Sequence, residues 1–371
     1  MSVIVVTGAA GFVGRNLTAE LSIHKQHKVL PFDVGYDEAE LEQALAKADF
    51  VFHLAGVNRP QDPAEFDSGN RGFTGLVLDM LERQGKRIPV VITSSAQAAL
   101  DNPYGVSKRA AEAIAFDWAK RTGGQALVYR LPGLFGKWCR PNYNSVVATF
   151  CHNIARDLPI QINDPGKQLE LVYIGDLLKE FLAALGGSAH VGEDGYCFVP
   201  TVHNLTLGEL ADILMSFRKN RETLTLPDFG LAMMRALYAT YISYLPEYEF
   251  AYQPEMKHDN RGWLAELIKQ PGFGQIFVSR TKPGITRGNH WHHTKVEKFI
   301  VIEGDAVIRF RKVGGEEVLD YPVNGRELSI VDIPTGYTHS ITNVGDTDVI
   351  TLFWSDEVFD PDNTDTYWLE V

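Results

Sequence analysis

Only three cysteines, Cys139, Cys151 and Cys197, occur in 371 residues, and no two are spaced as CxxC. That excludes a disulfide framework and a cysteine-built zinc finger, and it suits a reducing compartment. Positive charge is also short: 35 Lys and Arg against 47 Asp and Glu leave a formal charge of −12. Nothing in that balance draws the chain to nucleic acid or to an anionic membrane. A phosphate-bearing small molecule stays open, because backbone N–H groups bind phosphate whatever the net charge. No apolar run approaches the ~20 residues of a membrane span. The apolar start ending at Val6 is broken by Gly8 and has no basic leader, so it reads as a strand and not as a signal peptide. A soluble, cytoplasmic protein without internal repeats is expected.

What is present divides the chain in two. In the first half, apolar runs at Val3–Val6, Lys28–Phe32, Phe50–Leu54, Val90–Thr93 and Ala126–Arg130 alternate with helical spacing at Arg15–Leu21, Glu38–Ala46, Thr74–Glu82 and Ser107–Lys120. Such alternation predicts an α/β domain, a mainly parallel, doubly wound sheet of Rossmann type. A helical region at Leu207–Phe217 and a Tyr-rich stretch at Leu237–Tyr248 follow. Beyond about Tyr252, short β-type runs dominate (Gln275–Ser279, Glu297–Ile302, Ala306–Arg311, Leu328–Ile333, Val349–Trp354), separated by Gly and Pro turns, which predicts an all-β sandwich or barrel. The boundary is expected near residues 244–254, giving a domain over 1–243 and a second over 252–371.

The first strand runs into Thr7-Gly-Ala-Ala-Gly-Phe-Val-Gly14 and then a helix. A strand–glycine loop–helix unit lets the backbone turn tightly, approach a pyrophosphate and pack the helix on the strand. Gly8, Gly11 and Gly14 are therefore expected to bind a dinucleotide. Asp33, at the end of the second strand, suits the ribose 2′-OH of NAD, whereas Arg15 suits the 2′-phosphate of NADP, and the residues leave the two open.

Further on, Thr93-Ser-Ser95 ends a strand, and Tyr104 and Lys108 share one helix face about 90 residues past the glycine loop. A carbonyl reductase needs a proton donor at the carbonyl oxygen. Tyr104 is the expected acid, Lys108 the cation that lowers its pKa, and Ser95 a hydrogen-bond partner of the substrate oxygen.

The second half carries Gly284-Ile-Thr-Arg-Gly-Asn-His290-Trp-His292-His-Thr-Lys-Val-Glu297 with Gly304 beyond, and then Pro334-Thr-Gly336-Tyr-Thr-His339-Ser-Ile-Thr-Asn343. These segments resemble the two motifs of cupin barrels, G-x5-H-x-H-x4-E-x6-G and P-x-G-x2-H-x3-N. Strand alternation points His290 and His292 the same way. With Glu297 and His339 they form a set suited to zinc, iron, nickel or manganese. His293 faces the other way and is expected to meet substrate or to support the ligands.

The first half resembles the extended short-chain dehydrogenase/reductases, on Thr7–Gly14, His53-Leu-Ala-Gly56, Thr93–Ser95, Tyr104/Lys108, Arg130-Leu-Pro-Gly-Leu-Phe-Gly136 and Val172-Tyr-Ile-Gly-Asp176. The resemblance implies cofactor contacts at Gly8, Gly11, Phe12, Val13, Gly14, Arg15, Asp33, Leu54, Ala55, Gly56, Tyr104 and Lys108. His53 is expected to be structural. Two features depart from that family: only nineteen residues separate Asp33 from His53, so a strand is missing, and Gly133 replaces a frequent asparagine.

The pairing of reductase and cupin resembles the bifunctional nucleotide-sugar enzymes of capsule and O-antigen synthesis. Phe52–Pro60, Phe135–Ser145, Lys282–Lys295, Val331–His339 and the tail from Phe359 to Val371 extend it along nearly the whole chain. It implies a homodimer with zinc in the cupin and NADPH in the reductase. The cupin would epimerise C3 of a UDP-linked 4-keto-6-deoxy amino sugar, and the reductase would reduce C4. Lys295, His293 and Tyr337 are candidate proton carriers. Two other readings compete: a ketoreductase whose cupin is a dimerisation or binding module, and a non-enzymatic nicotinamide-sensing regulator.

Overall fold

The computed structural model describes residues 2–23, 26–362 and 364–371. The chain forms two compact units: Met1–Leu214 with Ala239–Leu245, and Met215–Tyr238 with Pro246–Val371.

The first unit opens with β1 (Ser2–Thr7), α1 (Phe12–Ile23), β2 (His27–Phe32), α2 (Glu38–Lys47) and β3 (Phe50–His53). A short α3 (Ala64–Phe66) passes through a π-helical stretch, Asp67–Gly72, into α4 (Phe73–Arg83). Then come β4 (Pro89–Ser95), α5 (Pro103–Thr122) and β5 (Gln125–Leu131). The five strands are parallel in the order β2-β1-β3-β4-β5. Only α2 lies between β2 and β3, so the chain crosses straight from the β2 edge to the far side of β1. The order reverses between β1 and β3, which opens a crevice at their C-terminal ends.

Strand alternation splits the apolar side chains between two layers. Ile4, Val6 and Phe52 pack with Leu17 and Leu21 of α1 and with α7 (below), whereas Val5, Val51 and Ile92 pack with α2, α4 and Trp118 of α5. The α5 N-terminus is set by Asn102, whose side chain accepts from the Gly105 N–H, with Pro103 in the first turn; Gly123, at φ 76°, ends the helix. A smaller sheet follows. Its elements are β6 (Gly133–Phe135), α6 (Val146–Ile154), β7 (Gln168–Tyr173), α7 (Ile174–Leu185) and β8 (His203–Thr206), with order β6-β7-β8. Next in the chain are α8 (Leu207–Thr223) and α9 (Ala232–Ile242). Among the described residues no helix is long and apolar enough to cross a membrane.

The second unit is built on β9 (Met256–Asp259), β10 (Gly262–Gln270), β11 (Gly274–Thr281), β12 (Thr286–Trp291), β13 (Glu297–Glu303) and β14 (Asp305–Lys312). It continues with β15 (Val318–Asn324), β16 (Ile330–Ile333), β17 (Tyr337–Asn343), β18 (Val349–Ser355) and β19 (Tyr367–Trp368). Two antiparallel sheets, β16-β13-β18-β11-β10-β9 and β15-β14-β17-β12-β19, give the cupin-type all-β fold. Inward residues of both, among them Phe299, Ile308, Phe310, Ile341 and Phe353, form one core.

Candidate active site and metal centre

The glycine loop lies at the β1/β3 crevice. Gly8 has φ +68°, and a Cβ there would stand 2.7 Å from the Ala55 backbone. A Cβ on Gly14 would stand 2.1 Å from the Gly8 carbonyl oxygen, so α1 could not sit this close to the loop. Gly11 donates to Gly8 O (3.1 Å) and accepts from Arg15 N (2.8 Å). Leu54 donates to Thr7 O, which lays Leu54, Ala55 and Gly56 against the loop. Phe12 and Val13, at the start of α1, pack on the core beneath it. The loop is a cradle that side chains would fill, and it fits a dinucleotide pyrophosphate.

Asp33 and Arg15 are both engaged within the protein. The Asp33 carboxylate accepts from Ala10 N (2.6 Å) and Val34 N (2.8 Å), bracing the glycine loop. The Arg15 guanidinium lies 4.5 Å from the Trp138 ring centroid. His53 is buried and bonded at both nitrogens to hydroxyls, Thr7 and Thr74 at 2.9 Å each. Burial, with Lys108 nearby, lowers its pKa to about 3, so it is a neutral strut.

Tyr104 and Lys108 rise from α5 beside the end of β4. The Lys108 Nζ donates to Thr93 O (3.1 Å) and lies 5.9 Å from the Tyr104 ring centroid. Burial raises the Tyr104 pKa, and the Ser95 hydroxyl pulls against that rise. The expected lowering by Lys108 is therefore corrected: desolvation outweighs any help from the ammonium at this distance. Lys108 itself is pulled down to about 8 by burial, with Glu112 acting the other way.

Two supports escaped the sequence reading. Asn70, on the π-helical stretch, accepts from Val57 N and donates to Val57 O and Ser107 Oγ. A Cβ on Gly56 would come within 2.8 Å of Asn70 Oδ1 and 3.0 Å of Lys108 Nζ, so Gly56 makes room for both. Glu112 is buried and gathers Ser94, the Arg130 guanidinium and the Tyr196 hydroxyl. A π-helical insertion is the one local signal that marks Asn70. Nearby, Arg59 and Arg140 stand 5.6 and 5.2 Å from the Tyr143 ring centroid, and Tyr143 acts electrostatically on Tyr104.

In the second unit the structure gathers His290, His292, Glu297 and His339, their ligand atoms all within 4.8 Å of one another. β12 and β17 set His290 opposite His339, and Glu297 opens β13. The Nε2 atoms of His292 and His339 lie 3.3 and 3.4 Å from Glu297 Oε2, yet among the described residues neither has a hydrogen-bond partner, and nor does His339 Nδ1. Buried imidazole nitrogens left unpaired are costly, and a divalent cation at the centre would satisfy them. His292 Nδ1 donates to the Asp365 carbonyl oxygen, which leaves Nε2 as the inward lone pair. Burial and His339 lower the His290 pKa to about 4. His293 is exposed between Trp291 and Tyr367, Lys295 is buried with Nζ 4.0 Å from Glu297, and Tyr337 packs on the barrel core.

Comparison with known proteins covers both units. Residues 4–194 match the NAD dependent epimerase/dehydratase family, and residues 257–367 match the polysaccharide biosynthesis C-terminal domain. A UDP-2-acetamido-2,6-beta-L-arabino-hexul-4-ose reductase of Pseudomonas aeruginosa is 44% identical over 368 residues, 99% of this chain and 98% of the relative. The crystal structure of the capsular polysaccharide assembling protein CapF of Staphylococcus aureus superposes with a TM-score of 0.92 at 49% identity, covering 99% of this chain and all of that one. A UDP-glucose 4-epimerase of Thermotoga maritima, 19% identical with a TM-score of 0.55 over 65% of this chain, shares the fold alone.

Proposed function

The chain belongs to the NAD dependent epimerase/dehydratase family, and on that premise we propose that it is a bifunctional epimerase/reductase of a UDP-2-acetamido-2,6-dideoxy-4-hexulose. C3 is epimerised in the cupin domain, and the C4 ketone is then reduced in the N-terminal domain. The product is UDP-2-acetamido-2,6-dideoxy-L-talose, on the route to UDP-N-acetyl-L-fucosamine. The observation that carries the reading is the presence, on one chain matched end to end by a hexulose reductase, of both the Ser95/Tyr104/Lys108 cluster and the His290/His292/Glu297/His339 cluster. Residues 1–243 are assigned to reduction and 252–371 to the cupin. The enzyme works in the cytoplasm as a homodimer.

In the reductase, Gly8, Gly11 and Gly14 would hold the pyrophosphate of NADPH, which supplies the hydride when bound. Leu54, Ala55 and Gly56 would line its inner side. Tyr104 gives its phenolic proton to the C4 oxygen, and Ser95 orients that oxygen by a hydrogen bond. Lys108, anchored on Thr93 O, favours the phenolate that the transfer leaves. Arg59 and Arg140, for which no carboxylate partner is seen among the described residues, suit the substrate diphosphate.

In the cupin, His290, His292, Glu297 and His339 would hold one divalent metal, assigned as zinc. When bound it supplies a positive charge that stabilises a developing enolate. The C4 ketone acidifies the C3 proton, and inversion needs a base on one face and an acid on the other. Lys295 is the best placed carrier, buried with its amine beside Glu297.

The test supplies the UDP-linked 4-keto-6-deoxy amino sugar with NADPH in deuterated water and reads the products by NMR. Deuterium at C3 with a reduced C4 is expected. Reduction without C3 deuterium would make the cupin a binding or dimerisation module, and no reduction would overturn the substrate assignment.

A further inference from the structure

His292 leaves the end of β12 and Glu297 opens β13, so the turn 293–296 sets the spacing of two members of the metal-ligand cluster. Turn N–H groups have no ladder partners and must find acceptors elsewhere. Here Val296 N donates to Asp356 Oδ1 (3.1 Å), and the other three converge on one side chain from the far end of the chain. The Asp365 carboxylate accepts from His293 N (2.9 Å), Thr294 N (2.7 Å), Thr294 Oγ1 (2.9 Å) and Lys295 N (2.8 Å). The carbonyl of the same residue accepts from His292 Nδ1. Next in sequence, Thr366 Oγ1 accepts from Lys295 Nζ at 3.0 Å. The segment is tied down beyond that point: β19 pairs with β12, setting Trp368 opposite His290, and Leu369 N donates to Asn289 O.

Resting on the metal reading above, we infer that Asp365 is a positioning residue for the ligand set, and that residues 365–371 are a working part of that centre. Its carboxylate fixes the turn, and the fixed turn holds the Asp365 carbonyl on His292. The bond places the Nδ1 proton on that carbonyl and turns Nε2 toward the cluster, the atom a ligand offers. One residue thus orients the ring of one ligand and sets the approach of another. Through Thr366 the same segment directs the Lys295 amine.

The experiment uses the full-length protein, stripped of metal and titrated with cobalt(II), in the wild type, Asp365→Ala and Asp365→Asn. Affinity is read by competition with a chromophoric chelator, and ligand geometry from the visible d–d bands. The wild type should take up one cobalt per chain. Asp365→Ala should bind about 10–100-fold more weakly, the usual effect of losing a partner that orients a ligand, and its bands should shift. Asp365→Asn keeps one acceptor oxygen and should fall between the two. Unchanged nicotinamide binding checks that the first unit is folded. Wild-type affinity and bands in both variants would overturn the inference while leaving the metal reading standing. Should Asp365→Ala fail to fold, Asp365→Asn decides alone, and wild-type affinity there overturns the inference. A lower melting temperature of the metal-free protein with unaltered cobalt bands would mean that Asp365 only braces the turn, and would also overturn it. A wild type that binds no cobalt would remove the metal reading itself.

Discussion

A phenol raised by burial is a weak acid, so Tyr104, as the proposed proton donor, would need its neighbours. Tyr104→Phe removes the proton and little volume, and should lower reduction by ~10²-fold or more while the protein stays folded, as steady-state kinetics and circular dichroism will show. On the proposed mechanism Lys108 should set the pH range. Its ammonium is held near 8 by burial, so kcat/KM for reduction should fall above about pH 8. The same shift has a stability sign. The folded pKa lies below the ordinary lysine value of 10.5, so the unfolded chain binds the extra proton between about 8 and 10.5. The penalty is therefore full below about pH 8 and is lifted as pH climbs toward 10.5. Lys108→Met should melt a few degrees higher at pH 7, with the gap closing by pH 10. As for cofactor preference, the bonds from Ala10 and Val34 to Asp33 support a loop brace, and kcat/KM should favour NADPH. A tenfold preference for NADH would return Asp33 to the ribose hydroxyl.

Among elements, the loop between β1 and α1 is where a single methyl group tells most. Gly14→Ala would drive its Cβ into the Gly8 carbonyl, so α1 must slide away. Fluorescence titration should show NADPH binding at least about tenfold weaker, ~1.4 kcal/mol. The strands of the first sheet were legible because parallel strands covered on both faces are written as apolar runs. β12 and β17 were not legible in that way, since Thr286–Trp291 and Tyr337–Asn343 are largely polar. Only the spacing of their histidines gave them away. Asn70 and Asp365 were invisible for another reason: each acts through partners brought to it by the fold, and Asp365 lies some 70 residues from the turn it holds. The direction of the Tyr104 shift also lay out of reach, because burial cannot be read from the spacing of Tyr104 and Lys108.

For the molecule as a whole, the two chemistries should respond to different treatments. Tyr104→Phe should still exchange the C3 proton with deuterated solvent while making no reduced sugar. Chelation should do the reverse to the second unit, lowering its unfolding temperature and leaving NADPH binding intact. A metal at a hundred times its Kd adds about 2.7 kcal/mol to the state that binds it, a shift that calorimetry resolves. A shortened chain needs care at its start. The Lys269 backbone on β10 is bonded to Leu224 and Leu226, so a fragment begun at Tyr252 loses those bonds and should be less stable than one begun at Met215. The chain passes between units at residues 214/215, 238/239 and 245/246, and the returning piece is anchored by Tyr244, which accepts from Arg156 and donates to Cys139 O. On the ribosome, residues 239–245 therefore emerge only after 215–238, a part of the neighbouring unit, so the first unit receives its last segment after a stretch of its neighbour has been made.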